Sequence, residues 1–494
     1  MFVLFLISWI AKTTSSTTSS SSDITQINSF LECMSLNSYP SSQIHSQNAS
    51  SYSTLLSSFR ITVGFTNSTT TVKPLIILTP NNESDIKTVK PLIILTPNNE
   101  SDIKTTLNCS VINNLQIRVR SGGHDYEGLS WKSDFRFIIV DLVNIRSISV
   151  DVKKKSAWIQ AGVTLDEVYY SIAEKRKTLG FPARTCPTMG VGGHFSGGGI
   201  GVLVRKYGLA ADISSMGENL FWAIRGGSGA SFGIILSWKI KLVSVPPIIT
   251  SFTPSRSLSD GAIKLFLRWQ EIADKFHEDL YVRVVIQNGF DQTTREKTVS
   301  VLFNSLYLGG VEELLNLMGK SFPELGLKAS DCTEMSRIQS ITPISEIWLQ
   351  GLWTRVLQED IVYIIMDPLG GMMSNISEFE ISFPRRKGNL YNIQYIVQWS
   401  KQKRIQTSQQ HLDWIRDLYK YMTPYVSNSP RVAYLNYRDL DLGKNDSSNI
   451  NYTLSIQWGM KYFKGNFQRL ALIKKEIDPQ NFFRNEQSTP QLSY

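Results

Sequence analysis

Cysteine and histidine are scarce in this chain, four and five among 494 residues. Cys33, Cys109, Cys186 and Cys332 fall in no zinc spacing, and four cysteines taken alone allow three pairings. No metal is therefore expected. Long apolar runs are missing too. The one candidate, Phe2 to Ala11, is too short to span a bilayer, so no membrane helix is expected. Charged residues make up only 19%, and the net charge of +9 comes from dispersed Lys and Arg, with no basic helix and no RNA-type aromatic motif. That pattern excludes nucleic acid as a partner and leaves a solvated basic surface.

What is present is a globular composition, 42% hydrophobic and 11% aromatic, over a length that suits two or more domains. Phe2–Ala11, then Lys12 and a Ser/Thr tract to Ser22, fits the apolar region of a secretory signal peptide, giving a leader over 1–22. Asn-X-Ser/Thr sequons at Asn48, Asn67, Asn82, Asn99, Asn108, Asn375, Asn445 and Asn451 agree with a lumenal route. Cys332 reads as a buried free thiol.

Periodicity predicts strands over Phe137–Leu142, Ala157–Ala161 and Phe232–Leu242, the last ending at Pro246-Pro247, a domain boundary. Thr164 to Lys175 reads as a helix, with Thr164 and Glu167 forming a capping box. Further on come a helix over Asp260–Glu278, strands over Tyr281–Ile286 and Thr298–Phe303, and a helix from Val311. Thr71–Lys87 recurs residue for residue as Thr88–Lys104. One strand with a helix start is no solenoid, which needs three or more stacked units. Only one copy can fill a strand site. The second is expected there, because it runs directly into Cys109, and the first is expected to loop out, exposing Leu75 to Leu78.

Two glycine-rich loops each carry one side chain able to bond to carbon. The first is Arg120-Ser121-Gly122-Gly123-His124-Asp125-Tyr126. The second is Arg184-Thr185-Cys186-Pro187-Thr188-Met189-Gly190-Val191-Gly192-Gly193-His194. Glycines let backbone pass close to a ligand, and successive N–H groups cradle an anion. A lone histidine in such a loop also fits a satisfied structural residue, and the cysteine an inert thiol. Arg184 beside Cys186 is expected to favour the thiolate. No strand, helix and acidic residue follow Gly190 to Gly193 in the manner of a dinucleotide fingerprint, so NAD is not expected.

These two motifs, near-complete and in this order, resemble those of the plant berberine bridge enzyme-like flavoproteins of the vanillyl-alcohol oxidase superfamily. The resemblance implies an α+β fold: a discontinuous FAD-binding domain over 23–245, an α/β substrate domain with an antiparallel sheet over 246–445, and a C-terminal segment, 446–494, returning to the first. It implies FAD bonded twice, by a His124 nitrogen to the ring methyl and by the Cys186 sulfur to a ring carbon. Arg120, Ser121, Gly122, Gly123, Asp125, Gly190, Gly192, Gly193, His194 and Asn481 would line the cofactor site. Cys33 and Cys109 would form a disulfide, and Tyr462 would be a further flavin-side contact.

On the substrate side the resemblance makes Tyr437 the catalytic base, assisted by Gln394. A free phenol has a pKa of about 10 and must be lowered to act near neutrality. Some relatives place a lysine two residues before the glutamine; this chain has Asn392, which adds no charge. A tyrosine expected fourteen residues after the cysteine is Ile200. Tyr437 also fits a strand tyrosine with a bonded hydroxyl. Met189 stands at the position that governs oxygen access, and its bulk favours a dehydrogenase.

The resemblance thus implies a secreted, monomeric enzyme of the extracellular cell-wall space, without nucleic-acid or membrane partners. It would pass hydride from an alcohol or sugar carbon to the flavin N5, on oligosaccharides or aromatic alcohols, with O2 or another acceptor completing the cycle. The rival is a catalytically impaired relic. Tyr207–Asp212 runs almost at once into Ser215–Trp222 where the family has a hairpin, and Met335–Arg337 to Ile344–Glu346 is compressed. Backbone groups that lose a hairpin must find other partners.

Overall fold

The computed structural model describes residues 21–58, 91–131, 133, 136–214, 219–257, 259–290, 297–336, 361–398, 413–420, 422–423, 426, 431–445 and 450–492. The first repeat copy, the compressed run beyond Ser336, most of the leader, and Asn67 and Asn82 lie outside the described residues.

Phe137-Ile-Ile-Val-Asp141 is buried at every position, as a strand covered on both faces must be. It sits inside a four-stranded sheet in the order Ile44–Ser46, Ile93–Leu95, Phe137–Asp141, Gln116–Arg120. The last three strands are parallel and the first is antiparallel. The second repeat copy fills this sheet as expected: Ile93–Leu95 is its strand, and the helix Glu100–Ile112 follows, its first turn capped by Asn99 accepting from the Asp102 N–H at 3.0 Å. The helix Ser21–Leu36 packs on that helix, and the Cys33–Cys109 disulfide joins them.

A second, antiparallel sheet holds Ile148–Asp151, Ser156–Gln160 and Ser237–Lys241. The helix Leu165–Lys175 starts with the expected capping box, the Glu167 carboxylate accepting from the Thr164 N–H at 2.9 Å. The strand expected over Phe232–Leu242 pairs only over Ser237–Lys241. Upstream, Ile234 and Leu236 enter the core of the first sheet while Ile235 enters that of the second. Of this upstream stretch Leu236 still pairs, its carbonyl accepting from the Ala161 N–H at 2.8 Å.

After Asp212, where a hairpin is expected to be missing, Ile213 and Ser214 meet the second sheet. The Lys241 N–H donates to the Ile213 carbonyl at 2.9 Å, and Ser214 bridges Ile240. The outer edge of Ser237–Lys241 thereby regains partners for its backbone.

The third sheet is antiparallel throughout: Cys332–Met335, Ile249–Phe252, Lys297–Tyr307, Leu280–Phe290, Ile361–Pro368, Tyr391–Gln398, with Ser255–Ser257 also on Lys297–Tyr307. Its central strands are longer than the sequence pattern indicated. The helix expected over Asp260–Glu278 contracts to Ala262–Ile272, whose Ala262, Leu265 and Trp269 face the core. The helix Val311–Ser321 begins where expected. The helices Tyr452–Phe463 and Asn466–Ile477 send Trp458, Tyr462, Phe463, Phe467 and Leu470 into the core of the second sheet, beside Phe195 and Trp238. Glu486 then pairs with buried Arg118 of the first sheet at 3.0 Å.

Two minor expectations change. Cys332 is half-buried rather than buried, its thiol 3.5 Å from the Lys328 carbonyl. Asn445 is 6% exposed and its amide nitrogen donates to the Asn485 and Ser488 carbonyls, so this sequon offers no room for a glycan in the folded chain. No helix among the described residues is long and apolar enough to cross a membrane.

Candidate active site

The two glycine loops lie directly on each other. A Cβ on Gly122 would fall 2.2 Å from the Gly190 nitrogen, and one on Gly190 would fall 2.2 Å from the Gly122 nitrogen. Gly192 faces Ser121 and the Ala161 carbonyl, whereas a Cβ on Gly193 would meet nothing within 4 Å. Gly123 adopts φ 66°, the left-handed region that favours glycine. This contact brings the histidine loop to the cysteine loop: His124 Nε2 lies 3.0 Å from the Thr188 hydroxyl, two residues beyond Cys186. Met189 rests half-buried against the neighbouring core.

Several expected cofactor residues turn out to brace these loops. The Arg120 guanidinium is spent on buried Asp141, at 2.6 and 3.1 Å, and on the Leu55 carbonyl. The Ser121 hydroxyl donates to the Ala161 carbonyl at 2.5 Å. The Asp125 carboxylate closes a turn by accepting from the Glu127 N–H at 2.9 Å. His194 Nε2 accepts from the Arg184 N–H at 3.1 Å; burial, with the Arg184 charge, holds its pKa down to about 3, so the ring is neutral. Tyr462 is 1% exposed, and its hydroxyl accepts from the Asp439 N–H at 3.0 Å, steadying the turn that carries Tyr437.

Both candidate attachment residues are half-buried. Burial first, then Arg184, lowers the His124 pKa, leaving the imidazole neutral and nucleophilic. For Cys186 the expected influence of Arg184 is present but is not the largest one. Arg184 does favour the thiolate, but burial outweighs it and pushes the thiol up.

Tyr437 lies in the 3-10 turn Leu435–Tyr437, not in a strand. Its hydroxyl accepts from Arg184 Nη1 and donates to the Asp367 carboxylate at 3.3 Å. Arg184 Nη2 donates to Gln394 Oε1 at 3.2 Å, and the Gln394 amide donates to the Tyr126 hydroxyl. Tyr126 stacks on Tyr437 with ring centroids 5.8 Å apart. Asp367 in turn accepts from Tyr281 at 2.5 Å and faces Arg283 at 3.4 Å. Burial drives Tyr437 well above the ordinary phenol range, with Asp367 and Tyr126 adding to the rise and Arg184 opposing it. Asn392, opposite Asp367 in the sheet, makes no hydrogen bond to Tyr437 among the described residues, and Ile200 is a core residue.

The expected pair, Tyr437 and Gln394, therefore does meet, through Arg184. Sequence reading missed Asp367, Arg283 and Tyr281 and gave Tyr126 no role of its own. The available signal was charge in apolar strands: Arg283 within Tyr281-Val-Arg-Val-Val, and Asp367 at the end of Ile361–Met366.

The donor set fits FAD. The facing glycine backbones leave an open side at Gly193, His124 is neutral, and the Asn481 carboxamide oxygen is buried without a partner among the described residues. Residues 91–216 match the FAD binding domain family model, and residues 433–490 match the berberine and berberine-like model. The chain is 43% identical to a tetrahydroberberine oxidase of Berberis wilsoniae, over 94% of each protein. It is 42% identical to berberine bridge enzyme-like 23 of Arabidopsis thaliana, over 100% of this chain and 98% of the relative. Among solved structures it is similar to wild-type Phl p 4.0202, a glucose dehydrogenase, with 36% identity, a TM-score of 0.80, and 94% of this chain and 100% of that one covered. The fold is thus the vanillyl-alcohol oxidase type, as the motifs implied. The chain belongs to the berberine bridge enzyme-like family of FAD-linked oxidoreductases.

Proposed function

We propose that this chain is a secreted enzyme that holds its flavin by two covalent bonds, from His124 and Cys186, and oxidises an alcohol or sugar carbon to a carbonyl. The observation that carries this reading is the hydrogen bond from Arg184 to Tyr437, which ties the cysteine loop to a phenol flanked by Gln394 and Tyr126. Ser121 to Gly123, Gly190 to Gly193 and Asn481 would hold the cofactor. FAD, when bound, would supply the two-electron acceptor for the hydride that leaves the substrate carbon.

Tyr437, once ionised, takes the hydroxyl proton: the substrate O–H bond breaks and its hydrogen passes to the phenolate oxygen. Gln394 orients Tyr126 and Arg184, and Asp367 fixes the phenol from the opposite side. Oligosaccharides at the reducing-end carbon and aromatic alcohols rank ahead of alkaloid ring closure. The glucose dehydrogenase among the structural relatives supports a sugar, and the tetrahydroberberine oxidase argues for a larger aromatic substrate. Met189 favours slow reaction with O2, and hence another acceptor. This reading divides the chain into the leader 1–22, a flavin domain 23–245, a substrate domain 246–445, and 446–494 returning to the flavin domain.

The shortened connection after Asp212 favours a second reading, an impaired relic. Acid precipitation of the purified secreted protein separates the two. A yellow pellet supports the bicovalent enzyme, and a colourless pellet from soluble protein supports the relic.

A further inference from the structure

We propose that Arg184 is the positioning residue that favours ionisation of Tyr437 to the phenolate, and that Asp367 is its counterweight, holding the proton on. The inference rests on the reading of Tyr437 as the base and assigns the groups that set its protonation.

Arg184 is fixed before any substrate arrives. Its N–H donates to His194 at 3.1 Å, and its carbonyl accepts from the Tyr169 hydroxyl at 2.8 Å. The guanidinium reaches across to Tyr437 and Gln394, its carbon 5.4 Å from the Tyr437 ring centre. A guanidinium only donates, so the phenol oxygen must accept from Arg184 and direct its own hydrogen elsewhere. Asp367 receives it, at 3.3 Å. One phenol therefore lies between a cation that welcomes its ionisation and a carboxylate that resists it.

The charge count points the same way. The groups facing Tyr437 are Arg184 from the cysteine loop, Tyr126 from the histidine loop, Asp367 and Gln394 from the sheet, and Tyr434 from its own turn. Behind Asp367 stand Tyr281 and Arg283. With every tyrosine neutral, two guanidiniums face one carboxylate. Such an imbalance is costly in a buried site. Loss of a single proton balances it, and Tyr437 is the phenol that touches both Arg184 and Asp367. Burial resists that loss, and Arg184 opposes burial by both charge and hydrogen bond.

The two neighbours should therefore act with opposite signs. In the flavin-loaded enzyme, Arg184→Gln is expected to move the alkaline rise of flavin reduction up by about 1–3 pH units, and Asp367→Asn to move it down. Arg184→Lys, which keeps the charge, should restore most of the wild-type profile. The ultraviolet tyrosinate titration of each protein, read against the same protein carrying Tyr437→Phe, should shift in the same directions and needs no turnover. An unshifted titration in Arg184→Gln overturns the proposal. Should that variant fail to load flavin, an upward or absent shift in Asp367→Asn overturns it instead. An effect of Arg184→Gln confined to the KM of acidic substrates, with the titration unmoved, also overturns it and makes Arg184 an anion site. Unchanged reduction by Tyr437→Phe alone would remove the base reading, while the titration would still report whether Arg184 governs this phenol.

Discussion

Gly122 and Gly190 meet backbone to backbone, so neither loop has room for a Cβ where they cross. This contact brings the loops of the two candidate attachment residues, His124 and Cys186, together. Gly122→Ala or Gly190→Ala should therefore separate the loops, because the clash is with backbone that cannot rotate aside. The expected outcome is loss of covalent flavin, read as colour retained after denaturation, and a lowered Tm. Gly193→Ala, which meets nothing within 4 Å in the protein itself, should keep the fold and report only on what the open side receives.

Tyr437→Phe should slow flavin reduction by about 10²–10⁴-fold, the usual contribution of a positioned proton acceptor. Flavin attachment should be unchanged, since Tyr437 meets the two glycine loops at Tyr126 and Arg184, the outer ends of the motifs. Rapid-mixing measurement under anaerobic conditions checks this. Unaltered reduction with intact flavin would remove Tyr437 from the chemistry.

Asp141→Asn should destabilise the first sheet by about 3–5 kcal/mol, the cost of leaving a buried charge unpaired. Both partners of the Arg120–Asp141 pair are 0% exposed, and burial pushes the Asp141 carboxyl up in spite of Arg120. The pair thus contributes position more than net stability. Replacing both residues by apolar ones of similar volume should restore much of the loss in a denaturant titration.

His194 should make the protein acid-sensitive. Its folded pKa of about 3 lies below the ordinary 6.5, so the unfolded chain binds the proton first. The stabilisation is complete above about pH 6.5 and is lost progressively as pH falls toward about 3, a change of a few kcal/mol. His194→Gln, which keeps an acceptor for the Arg184 N–H, should flatten the fall of Tm over that range. An equally steep fall would assign the acid sensitivity to other groups.

Much of this was legible in the residues. The capping box of Thr164 and Glu167 uses local chemistry and reads from four positions. Phe137 to Asp141 declares a doubly covered strand by having no polar face, and the repeat resolves because only its second copy joins Cys109 without a gap. What escaped was long-range. Ile234 to Leu236 alternates between two cores outside the paired strand Ser237–Lys241, a pattern indistinguishable from a strand until the cores are known. Arg184 looked like a neighbour for Cys186, two residues away, yet its guanidinium serves Tyr437, far along the chain. Asp367 and Arg283 carried no motif, and only the register of the third sheet sets them under the tyrosine. Asn445 satisfies the sequon pattern while its side chain is committed to internal carbonyls.

The central claim is that one isoalloxazine is bonded to both His124 and Cys186. Mass spectrometry of protease-digested, secreted wild-type protein tests it directly. The account predicts a single species in which the peptides carrying His124 and Cys186 are joined through one flavin. Recovery of both peptides at their unmodified masses would contradict it.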